Sequence, residues 1–327
     1  MEATGLNRHL VALLHDPRDL VFVHLIIGCA FVGCLGVGLF FVNTWFWPLS
    51  VAYLLFWGLG YLDRFILMLH CTSHRALFKP AWMKHIIPWV IGPFFGQTPQ
   101  TYVVHHIGMH HIEDNLGGDL STTMRYQRDS LLGWLHYLGS FLTVGLLKLA
   151  MYHWKKGSKK MFWRLLVGEG AFWAMVAVLA MVNWQATLVV FAGPVLLVRT
   201  LMMAGNWGQH AFIDPRDPAE TYRSSITCIN TRYNVRCFND GYHTVHHHKP
   251  RLHYTEMPGA YETTREAYGA ADAIVFDGID FFQVWALLML GQKKALARRF
   301  VRLPGAPNRT DDEVIAMMNS RLTPIAA

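Results

Sequence analysis

Apolar residues along this chain gather into long blocks separated by polar stretches. Nearly unbroken runs at about 20–42, 45–69, 162–182 and 186–204 each approach the roughly 20 residues that a helix needs to cross the hydrocarbon core of a bilayer. The blocks predict four transmembrane helices in two hairpins, with turns at Asn43-Thr44 and Asn183-Trp184-Gln185. Weaker apolar stretches at 85–95 and 129–154 are interrupted by prolines or polar residues. They predict a re-entrant or interfacial segment and a membrane-surface helix. The stretch 274–290 contains Asp277 and Asp280 and is also expected at the surface. The polar, proline-containing sequence between His210 and Gly241 reads as a loop with little regular structure.

Composition agrees with a membrane protein. The chain has 327 residues, 53% of them hydrophobic and 16% charged, and no linker or repeat divides it; one domain over 1–327 is expected. The first run does not read as a signal peptide, because acidic residues precede it and no small-residue cleavage site follows. The two hairpin turns carry no Lys or Arg, whereas Arg8, Arg18, Lys79, Lys84, Lys155, Lys156, Lys159, Lys160, Lys293, Lys294, Arg298, Arg299 and Arg302 fall on the other side. The positive-inside rule then places both termini and every basic loop in the cytoplasm, at a bacterial inner membrane or the endoplasmic reticulum. A net charge of +7 reads as topology plus attraction to anionic headgroups, and without a nucleic-acid motif it does not argue for a nucleic-acid partner. Five cysteines without a CxxC fit a reducing compartment.

The chemistry lies in the histidines. Three clusters read His70-Cys-Thr-Ser-His74, His106-Ile-Gly-Met-His110-His111 and His243-Thr-Val-His246-His247, and Asn206-Trp-Gly-Gln-His210 closes the fourth apolar run. Histidines four apart lie one helical turn apart on one face, so both imidazoles can reach one metal. Nine donors (His70, His74, His106, His110, His111, His210, His243, His246, His247) are too many for one tetrahedral zinc and suit two metals with open positions. The predicted topology brings all of them out on one side, within a cap of about 70–161 and 205–327. The remaining histidines are isolated or, like His105 and His248, adjoin a cluster. His106 is preferred to His105 because only it forms an i,i+4 pair with His110.

These clusters, in this order, with Asn206/His210 and the stretch Phe238-Asn-Asp-Gly-Tyr-His243-Thr-Val-His-His247, resemble the membrane fatty acid desaturase superfamily, which includes hydroxylases and decarboxylases. The likeness runs from about His70 to Pro258. It implies an all-α integral membrane fold, two non-haem irons held by the nine histidines, and dioxygen as co-substrate. No HExxH motif supports zinc hydrolysis. No GxGxxG or HPGG-type motif provides a redox cofactor site, so electrons are expected from a separate ferredoxin or cytochrome b5 type donor and its reductase, docking on the basic face. The expected substrate is a long acyl chain entering from the bilayer and the expected reaction desaturation, with hydroxylation or terminal-alkene-forming decarboxylation as alternatives. A metal transporter or sensor fits less well, since the ligands cluster at one end of the spans. No substrate-binding residue is legible.

Two finer expectations concern geometry. His106, His110 and His111 fall at i, i+4 and i+5, which an α-helix would spread round its surface; one π-bulge near Gly108 would bring them back together. Asp63 and Arg199 each precede a motif by seven residues, and are expected to pair at equal depth beneath the metals, with Asn206 in a supporting role. Glu169 is the competing partner for Arg199.

Overall fold

The computed structural model describes residues 5–42 and 44–326; Asn43 of the first expected turn lies outside them. The fold is mostly helical. Among the described residues, four helical segments are long and apolar enough to cross a membrane: Pro17–Phe41, Trp47–His74, Leu131–Lys155 and Lys159–Gln209. The last contains both the third and fourth runs. Asn183 leaves the helical conformation (φ −155°, ψ 98°), and its side chain accepts the Ala186 amide at 3.0 Å, capping the start of a second arm. Glu169 on the first arm meets Arg199 on the second at 2.7 Å, so the chain reverses at Asn183 as the hydropathy pattern requires. Leu131–Lys155, read from the sequence as a surface helix, is itself of spanning length and composition.

The chain divides into two compact units. The first comprises Met1–Ile107 and His153–Arg199. Its second span is helical from Trp47 to His74 but widens to a π turn over Gly58–Leu62. The stretch expected to be re-entrant forms a π turn over Ile86–Ile91 and a 3-10 turn over Gly92–Phe95. It is packed among spans: Phe94 lies against Gly33, Trp57 Nε1 donates to Phe94 O at 2.9 Å, and Phe95 stacks on Phe65 at 4.6 Å. Irregular backbone at membrane depth is tolerated where protein surrounds it. The segment after His74 is tied to the N-terminal region, with Lys79 N bonded to Leu13 O at 2.8 Å and Arg75 paired to Asp16 at 3.0 Å.

The second unit comprises Gly108–Tyr152 and Thr200–Ala327. A two-stranded parallel sheet pairs β1 (Thr227–Ile229) with β2 (Val275–Asp277). The 274–290 stretch does not form one surface helix. Val275 and Phe276 enter the sheet, and Asp280 caps a new helix, Phe281–Met289, whose Phe281, Val284 and Leu288 are buried. Its apolar residues thus serve a core rather than a membrane surface. The 210–241 stretch carries short elements, Thr221–Ser224, β1 and Arg232–Arg236, joined by irregular chain. Arg128 is fully buried and binds the carbonyls of Ala211, Met124, Arg321 and Thr323 at 2.7–2.8 Å, tying the C-terminal helix to the loop that follows the second histidine cluster.

Candidate metal centre

In the first unit His70 and His74 sit at the end of the helix Asp63–His74, where the i,i+4 spacing puts their rings 5.4 Å apart. His106 completes the group, its ring 4.8 Å from His70 and 5.1 Å from His74. The Nε2 atoms of His74 and His106 are 3.0 Å apart. Tyr102, one turn before His106, stacks on its ring at 4.9 Å.

The helix carrying the second cluster is α-helical over Thr101–His105, π over His106–His110, and α-helical again over His111–Glu113. The π turn sits where the i, i+4, i+5 spacing calls for it. An i→i+5 turn lines up residues five apart, so His106 and His111 share a face. His105, passed over in favour of His106, stands outside the groups of candidate ligands.

In the second unit six histidines converge in two groups. His110, His210 and His247 bring ligand nitrogens within 4.8 Å of one another. His243 joins them, its Nε2 3.0 Å from that of His247 and 3.2 Å from that of His210. His111 and His246 face each other with Nε2 atoms 3.1 Å apart. Val245, on the opposite face of the short helix His243–His248, is buried against Tyr242, Met257 and Tyr261, which orients the third cluster.

Second contacts decide which nitrogen three of these rings present. His110 Nδ1 donates to Asp119 at 2.6 Å, His247 Nδ1 to Asp114 at 2.7 Å, and His210 Nδ1 to the Ser224 carbonyl at 2.9 Å. With Nδ1 holding the proton, Nε2 is left with its lone pair facing the cluster, as metal-binding imidazoles require. Asp119 is held in turn by the amide and hydroxyl of Ser121, both at 2.7 Å. Asn206 Nδ2 donates to Ser121 O at 3.0 Å and to Tyr137 Oη at 2.7 Å. Asn206 therefore acts at a distance, fixing the loop that holds Asp119.

Electrostatics follow from these contacts. Burial opposes a proton on His110, but the Asp119 carboxylate outweighs it and raises its pKa. His210 is pushed down by burial and by the neighbouring His247 and His110. Burial works against a charge on Asp114, but the His247 hydrogen bond together with the nearby His247, His210 and His110 outweighs it and lowers its pKa. Imidazoles crowded together with Nε2 atoms turned inward and backed by carboxylates can hold a cation.

The spacing of those nitrogens fits a cation bound at right angles. Two imidazoles on one cation at about 2.0–2.2 Å lie about 3 Å apart when they subtend a right angle, and wider at a tetrahedral one. The observed 3.0, 3.0, 3.1 and 3.2 Å separations match the right-angle case.

The sequence profile of the family described as fatty acid desaturase matches residues 44–278. The chain belongs to that family. No curated protein and no solved structure matches it. Histidine clusters, long apolar helices and the family match together make the chain a membrane desaturase-family oxidoreductase of the di-iron type.

The intramembrane charges correct one expectation. The carboxylate that meets Arg199 is Glu169, the competing partner, and not Asp63. Glu169 also accepts from Thr98 at 2.5 Å, Thr101 at 2.7 Å and Trp173 at 3.0 Å. A Cβ at Gly168 would collide with Pro99 O, so a glycine there lets the start of the second-cluster helix approach Glu169. Asp63 instead accepts the Arg64 amide at 2.8 Å. Depth along a helix gave two carboxylates at one level; which lay laterally beside Arg199 is not encoded in hydropathy. Asp114 and Asp119 were missed altogether, although acidic residues soon after a histidine cluster are a usable signal in His-His-Ile-Glu-Asp-Asn-Leu-Gly-Gly-Asp119.

Proposed function

We propose that the nine histidines hold two irons and that the chain, working as one catalytic domain, oxidises an unactivated C–H bond in a long acyl chain, with desaturation as the reaction. The observation that carries this reading is the set of Nε2–Nε2 separations near 3 Å with Nδ1 atoms turned onto Asp119, Asp114 and Ser224 O. Bound iron would supply dioxygen reduction and hydrogen abstraction. The substrate gives up two hydrogens from adjacent carbons, dioxygen leaves as water, and the remaining electrons come from a ferredoxin or cytochrome b5 type donor. The protein's own work is to fix imidazole tautomers, exclude water and hold one carbon pair at the reacting position.

The proposed topology has four crossings, the two arms about Asn183 counting separately, with both termini and the histidines cytoplasmic. Basic residues at the histidine-bearing ends of the spans support it. Leu131–Lys155 stays on that side as a surface helix. Polar residues interrupt it at His136, Ser140, Thr143 and Lys148, and one further crossing would put the two termini on opposite sides of the membrane. Lys294, Arg298 and Arg299 offer the donor a basic surface.

The test is expression with oxygen and a ferredoxin or cytochrome b5 system, beside a His243→Ala control, with lipids and headspace read by mass spectrometry. An alkene two mass units lighter than its precursor, absent from the control, is expected. A hydroxylated product or a terminal alkene one carbon shorter would replace desaturation by the corresponding alternative.

A further inference from the structure

A cavity of about 170 Å³ lies within the first unit, lined by Leu69, Phe78 and Val103 and by the basic residues Lys84, His85 and Arg164. Among the described residues, none of its lining is a carboxylate and none is a candidate metal ligand. It borders the helices of the first two histidine clusters without opening on their imidazoles. Thr72 and Ser73 also line it, but their hydroxyls donate to Met68 O and His70 O. The donors left for a guest are therefore Lys84, Arg164, His85 and Gln100, which call for a guest that is an acceptor and an anion. Gln100 is held at φ 69°, a left-handed conformation that costs a non-glycine residue free energy and tends to persist at ligand sites.

Exposed apolar side chains neighbour the cavity's basic residues along the chain. Trp82 (69% exposed) and Val90 (57% exposed) flank Lys84 and His85 on the same segment, in the manner of side chains facing lipid at the interface. A guest that met both these side chains and the basic lining would come from the bilayer and carry an alkyl tail. The volume is well below the roughly 300 Å³ at which pockets for drug-sized ligands begin; it has room for a small head and the first methylenes, not for a nucleotide-bearing carrier or a glycerophosphate with two chains.

We propose that this cavity binds the carboxylate of a free long-chain fatty acid, which makes the unesterified acid the substrate form. This rests on the acyl-oxidation reading above and deepens it. A carboxylate held by Arg164 and Lys84 keeps the carboxyl end of the chain away from the imidazoles. Decarboxylation would need the carboxyl end at the metals.

The experiment uses the full chain in phosphatidylcholine nanodiscs with doxyl-labelled stearate, its binding read by electron paramagnetic resonance without turnover, so that a failure of the oxidation reading does not decide it. Unlabelled stearate, its methyl ester, stearoyl-CoA and phosphatidylglycerol serve as competitors. Stearate should displace the probe and the other three should not. Lys84→Gln with Arg164→Gln should weaken stearate binding about tenfold or more, the loss expected for charge-assisted hydrogen bonds, with iron content unchanged; the exposed Lys84→Gln alone should weaken it less. Undiminished binding in the double variant, or displacement by phosphatidylglycerol, the methyl ester or the CoA thioester as strong as by stearate, would overturn the assignment.

Discussion

Asp119 stands 2.6 Å from His110 Nδ1 and is wholly buried, so one carboxylate settles which nitrogen that histidine turns toward the metal position. The same device recurs at Asp114 and His247. Carboxylates behind metal-binding histidines commonly carry 10–100-fold in metal affinity or activity.

Asp119→Asn should therefore lower iron affinity about 10–100-fold while leaving the helical content unchanged. Metal analysis after a chelator titration, alongside circular dichroism, checks it. Iron retention equal to wild type would mean that the contact is packing alone.

Glu169 and Arg199 form a largely buried ion pair closed by Thr98 and Thr101. Removing one partner strands the other, at a cost on the order of 3 to 5 kcal/mol. Glu169→Gln and Arg199→Met should each lower the thermal midpoint in detergent far more than Asp217→Asn, and the double variant should recover part of the loss. Additive losses in the double variant would show that the two residues do not depend on each other.

Much of this was legible in the sequence because it is periodic. Helical spacing groups the histidines, and the extra residue in the second cluster requires the π turn found at His106–His110. Apolar length marks the spans and the reversal at Asn183. Contacts made by loops and across helices were not legible: Asp119 reaches His110 through a turn held by Ser121 and Asn206, and Arg199 chose between carboxylates at equal depth. The 274–290 stretch misled because its apolar run serves a strand and a buried helix face, broken at Gly278 and Asp280.

Arg128 binds carbonyls rather than a carboxylate, and although burial lowers its pKa to about 10 it stays charged at neutral pH. Arg128→Met would leave several buried carbonyls without a donor, costing several kcal/mol. Limited proteolysis should then cleave ahead of the C-terminal helix Asp311–Leu322 at protease levels that spare the wild type. Equal resistance would remove Arg128 from that role.

Asp214 is buried between Arg216 and Arg321. Burial works against its ionisation, but the Arg216 hydrogen bonds and both guanidinium charges outweigh it and lower its pKa from 3.8 to about 2. A lowered carboxylate pKa contributes stability that is complete above the unfolded value and lost as pH falls through the folded one. Asp214→Asn should destabilise the protein at pH 7, and its deficit should shrink as pH falls from about 4 toward 2. Unfolding curves across that window check it; a deficit independent of pH would assign the effect to shape rather than charge.

Metal analysis joined to Mössbauer spectroscopy on protein grown with ⁵⁷Fe asks whether these histidines hold two irons. Close to two irons per chain are expected, with nitrogen-rich, high-spin ferrous signals after reduction, falling to one or fewer in His243→Ala and in His74→Ala. A single tetrahedral zinc in the wild type, or full iron content in both variants, would contradict a two-iron centre.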